Sequence, residues 1–100
     1  MSSSFNISED SMVVTSSYVT SGGMPILLVT HEYDEEDEEY IWQFHCGNGD
    51  YAMERMQLVR LDTILNIDPS ISTIANLAVG YQAKRTSPDE NWRHSPIEGA

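Results

Sequence analysis

A single cysteine, Cys46, among 100 residues rules out an internal disulfide and fits a reducing compartment. Basic residues are nearly as scarce: five Lys and Arg stand against sixteen Asp and Glu, for a formal net charge of -11. A field of that sign repels nucleic acid and anionic membranes, so neither is expected as a partner, and it attracts basic proteins or cations. No run approaches the roughly 20 apolar residues that a membrane-spanning helix needs. The first residues offer neither a basic n-region nor an apolar h-region, and a cytoplasmic location is expected. Internal repeats are absent, and Gly47-Asn48-Gly49 is too short for a phosphate loop and is followed by no Lys-Ser/Thr pair. The chain is long enough for one domain with one modest core.

The stretch from Tyr40 to Asp50 organises what is present. Tyr40, Trp42, Phe44 and Cys46 alternate with Ile41, Gln43 and His45, the period-two pattern of a half-buried strand whose first set faces a core. Gly47-Asn48-Gly49-Asp50 then supplies residues that tolerate a tight reversal. Upstream, Met12 to Thr20 is rich in β-branched and aromatic residues and reads as a strand. Ser21-Gly22-Gly23 reads as a turn and the apolar run Met24 to Thr30 as a second strand, so the two are expected to pair as a hairpin. Downstream, Tyr51 to Gln57 reads as loop, and Val59 to Asn66 has the spacing of an amphipathic helix. Asp68-Pro69 ends that helix and caps a second, which carries Ile71, Ile74, Ala75 and Leu77. Ala78 to Arg85 alternates again, and Asn91 to His94 reads as a last short strand.

The order predicts an α+β fold, a small mainly antiparallel sheet of about five strands with two short helices packed on one face. Residues 12–94 form the domain, residues 1–11 a loose N-terminal arm with only Phe5 and Ile7 to bury, and residues 95–100 a frayed tail.

Three groups of residues invite a chemical reading. His31, His45 and Cys46 are the soft ligands that paired strands could bring together, but a zinc site needs three or four ligands at closer spacing. As a Cys/His nucleophilic pair, His45 and Cys46 fail because neighbours on a strand point to opposite faces. The alternatives are a small metal-binding or catalytic protein built on these three, or a regulatory protein-interaction module. Asp34, Glu35, Glu36, Asp37, Glu38 and Glu39 form an unbroken acidic run, read as a solvated loop, without the alternation and central glycine of a calcium loop. Six clustered acids speed association with a basic partner by steering, and Asp50 and Glu54 are expected to extend the same surface. No catalytic, metal or cofactor residue is assigned.

Several of these features together resemble a known family. They are the strand ending near Ser16-Ser17, the second strand after a Gly-containing turn and the acidic loop leading into Trp42-Gln43-Phe44. Gly47-Asn48-Gly49-Asp50-Tyr51, the segment Leu61 to Pro69, and Val79-Gly80 before Arg85 complete the set. Over residues 12–94 the chain resembles the bacterial DUF2185 domain, grouped as Imm33 among the immunity proteins of polymorphic toxin systems. The resemblance implies a non-enzymatic cytoplasmic protein that binds and neutralises a cognate toxin. It carries over no contact residue and no cofactor.

Overall fold

The computed structural model describes residues 5–50 and 52–97. Its elements are β1 (Met12–Ser16), α1 (Ser17–Thr20), β2 (Leu28–Asp34), β3 (Glu39–His45), a 3-10 turn (Met53–Arg55) and β4 (Met56–Arg60). They continue with α2 (Leu61–Ile67), a 3-10 helix (Pro69–Ile74), β5 (Tyr81–Lys84) and β6 (Arg93–Pro96). The six strands make one sheet in the order β4-β1-β3-β2-β5-β6, antiparallel throughout except for the parallel pair β1 and β3. The fold is α+β, as expected, with one strand more than anticipated. No helix among the described residues is long and apolar enough to cross a membrane.

β3 is the central strand its alternation predicts. Trp42, Phe44 and the following Cys46 are buried on the helix-covered face, with Val13 and Thr15 of β1, Val29 and His31 of β2 and Ala83 of β5 alongside. Leu61 and Ile64 of α2, Ile71 and Ile74 of the 3-10 helix, and Val19 of α1 close over them in one apolar cluster. Asp68 starts the 3-10 helix as its sequence suggests, accepting from the Ser70 amide at 3.0 Å, with Pro69 in the first position.

Four expectations are corrected. β1 does not form a hairpin with β2, because its strand stops at Ser16 and the chain winds into α1. Gly22 donates its N–H to the Ser17 carbonyl at 2.9 Å, and a Cβ there would stand 2.7 Å from the Tyr18 carbonyl oxygen. Gly23 follows at φ +69, turning the chain so that β2 lands on the far side of β3. The segment read as loop before Val59 holds the edge strand β4, which pairs with β1 from Met12↔Arg60 to Ser16↔Met56, and α2 begins only at Leu61.

Phe5 to Ser11, read as part of a loose arm, packs against the core. Phe5 is 7% exposed and meets the Trp42 ring edge-on at 4.7 Å, while Asn6 accepts from the Trp42 indole N–H at 3.0 Å. At the other end, Ser95 and Pro96, assigned to the frayed tail, belong to β6 and pair with Gln82 and Tyr81. Met1 to Ser4 of the arm and residues 98–100 of the tail lie outside the described residues.

Candidate functional site

The acidic run is an exposed turn between the second and third strands, as expected, with its end residues Asp34 and Glu39 drawn into the strands. β2 and β3 pair without a break from Leu28↔His45 to Asp34↔Glu39, leaving only Glu35 to Glu38 in the turn. Asp34 folds the turn, its carboxylate accepting from the backbone N–H of Glu36 at 2.9 Å and of Asp37 at 3.4 Å. Glu38 adopts φ +51, a left-handed conformation that closes the reversal. Glu35, Glu36, Asp37, Glu38 and Glu39 are exposed, and no basic side chain pairs with any of the six among the described residues. Below the tip, Tyr33 and Tyr40 stand opposite each other with rings 5.2 Å apart and edge to face, 43% and 44% exposed. The tip is thus a row of carboxylates above an accessible aromatic pair. The alternation of β3 assigned Tyr40 to the core face correctly, but the helices stop short of it.

Asp50 and Glu54 do not extend this surface. β3 enters at Glu39 and leaves at His45, and its seven residues span roughly 20 Å. Asp50 lies beyond the far end, where it accepts from the Tyr18 hydroxyl at 2.5 Å and the Ala52 amide at 3.1 Å. The Tyr18 hydroxyl first, then the Ala52 amide, hold its carboxyl below the usual range. Glu54 is exposed on the 3-10 turn nearby. The eight acids therefore form two separate groups, set apart by the length of β3.

His31, His45 and Cys46 are also kept apart. His31 is opposite Trp42, not His45, and its ring lies stacked on that indole at 3.9 Å. Its Nδ1–H donates to the Leu77 carbonyl at 2.7 Å, and Nε2 accepts from the Asn6 amide at 3.3 Å. Burial pushes its pKa down, against the opposing pull of the Leu77 carbonyl, so the ring is a neutral part of the core. His45 points to the opposite face, with Nε2 2.9 Å from the Gln43 side-chain oxygen, and burial lowers its pKa too. Cys46 is a core thiol about 13 Å along the sheet from the His31 level. Among the described residues no three potential metal ligands are grouped.

The second surface, which the sequence reading did not single out, is the sheet face that no helix covers. β4 and the 3-10 turn before it rise along one side, and a groove of about 650 Å³ runs between Met53 and Leu58 on that wall and Val14, Thr30, Gln43 and His45 on the floor. Met53 is 86%, Leu58 66% and Met12 55% exposed. Comparison with protein-family models, with curated proteins and with solved structures finds no match to this chain.

Proposed function

We propose that this chain is a non-enzymatic protein-binding module that captures a basic partner at the β2–β3 hairpin tip, and that it serves as a cytoplasmic immunity protein against a cognate toxin. The observation that supports the binding role is the paired ribbon that carries Asp34 to Glu39, without an ion pair among the described residues, above Tyr33 and Tyr40. Carboxylates steer a cationic surface into contact, and exposed tyrosines then offer rigid area and ring faces to arginine side chains. The toxin reading rests on the resemblance to the Imm33 immunity family. A toxin that cleaves nucleic acid needs a basic cleft, and a row of carboxylates imitates the phosphates such a cleft binds.

The test starts from a tagged pull-down at low salt from lysate of the native cell. It proceeds to association rates of the recovered protein with the wild type and with a Glu35→Gln, Glu36→Gln, Asp37→Asn, Glu38→Gln variant. Neutralising the tip should slow association by roughly tenfold or more and flatten its salt dependence, the size expected of steering. An unchanged on-rate moves the interface elsewhere. A recovered partner that is neither basic nor toxic removes the immunity assignment.

A further inference from the structure

We infer that the uncovered face of the sheet is the interface of a two-fold homodimer, independent of the hairpin tip. Three observations support this. β1 and β3 lie side by side within the sheet, flanked by β4 and β2. On the uncovered side they present the apolar Met12, Val14 and Ile41 beside Ser16, Glu39, Gln43 and His45, and Leu58 of β4 stands across the ladder from Val14.

The charge of this face also departs from that of the molecule. Away from the tip, to which Asp34 and Glu39 belong, the register directs Glu32 to the uncovered side together with Lys84, Arg93 and Arg60, the last ion-paired with Asp62 at 2.8 Å, on a chain of net charge -11. Lys84 and Arg93 are directly opposite each other on β5 and β6 and form no ion pair among the described residues. Like charges so placed repel, and this costs stability unless an anion lies against them.

The occupant that fits is a second copy of this chain. A two-fold axis lying in the interface and crossing the strands at the level of Thr30 and Gln43 sets each Glu32 above the other copy's Leu28. That position is one strand spacing, about 4.8 Å, from the other copy's Lys84. The match occurs twice by symmetry. The same operation sends the two acidic tips to opposite ends of the dimer, more than a Debye length apart at physiological salt. Two strands of seven residues, two of five and two of four give a face of roughly 500 Å² before side-chain relief, against the ~800 Å² per partner of a standard interface.

Light scattering of the purified chain, from micromolar to submillimolar concentration, tests this. The expected mass is twice the chain mass of 11.3 kDa. Leu58→Asp, and separately Met12→Asp, should return the mass to that of one chain with the circular dichroism unchanged, since both side chains are already exposed. Glu32→Lys and Lys84→Glu should each weaken dimerisation by roughly tenfold, and the double swap should restore it. A single-chain mass at every concentration overturns the inference. So does a dimer indifferent to Leu58→Asp and Met12→Asp, or one that the double swap fails to restore.

Discussion

Replacing Arg85 by Met should destabilise the domain more than any surface substitution. The guanidinium, its side chain only 2% exposed, donates to the Ile26 carbonyl through Nε at 3.1 Å and Nη2 at 2.9 Å, and through Nη2 to Asp68 at 2.7 Å. Its Nη1 donates to Ser70 at 3.2 Å and to the Pro88 carbonyl at 3.0 Å, and the group lies over the Trp92 ring at 4.1 Å. One side chain thereby ties the chain entering β2, the start of the 3-10 helix and the turn before β6. Met keeps much of the volume but removes every donor.

Breaking a buried ion pair costs about 3–5 kcal/mol. The low end applies, because Asp68 is 19% exposed and keeps its bonds to the Ser70 amide at 3.0 Å and hydroxyl at 2.6 Å. A loss of about 3 kcal/mol is a large share of the 5–15 kcal/mol typical of a domain and moves a urea midpoint by roughly 2 M. Burial opposes ionisation of Asp68, but the Ser70 hydroxyl and amide and then Arg85 outweigh it and lower the carboxyl pKa below 3.8. Asp68 therefore contributes fully above that value and loses its contribution only as the pH falls through the lowered pKa. At pH 7 urea unfolding of the wild type, Arg85→Met, Asp68→Asn and the double variant should show a double-mutant loss smaller than the sum of the singles. An Arg85→Met loss under about 1 kcal/mol would refute the reasoning.

Phe5→Ala should cost about 3–5 kcal/mol, as for other core phenylalanines, and lower the melting temperature by roughly 10 °C or more; an unchanged melting curve would return residues 5–11 to the status of an arm. Stability should also fall between pH 7 and pH 5, because buried His31 and His45 have pKa values depressed below 6.5 while the unfolded chain protonates near that value. Each histidine contributes a slope of up to about 1.4 kcal/mol per pH unit in that window, and the contribution is intact above it. A His31→Gln variant should show a shallower slope, read from urea midpoints across the window; a flat wild-type profile would mean that neither ring is held neutral.

Where one residue's neighbours along the chain decide its environment, the sequence was readable. The alternation through Trp42 and Phe44 located the central strand and its buried face, and Asp68-Pro69 located a helix start, because both depend on local stereochemistry. Strand partnership was not readable in the same way. The turn at Ser21-Gly22-Gly23 looks like a hairpin, yet Gly22 packs on Tyr18 to end a helical turn, and β1 finds its partners 29 and more residues away. β4 was hidden because Met56-Gln57-Leu58-Val59-Arg60 exposes Leu58 and half-buries Val59, reversing the polarity that marks an edge strand. The same side chain that obscured the strand points to the uncovered face.

The site shows the same division. Six consecutive acids are visible in any reading, but their number alone does not distinguish solvent dressing from a binding surface. What the hairpin adds is placement, since a continuous ladder and the Asp34 turn set the acidic run above Tyr33 and Tyr40. Asp50 and Glu54 are excluded by the length of β3 alone. The uncovered face was the least readable feature, because Glu32 and the bases Arg60, Lys84 and Arg93 are far apart in the chain and only the register assembles them. If both proposed surfaces are used, a molecule of net charge -11 leaves long-range attraction to the tip, where acid is concentrated, and short-range contact to the face, where Lys84 and Arg93 are gathered.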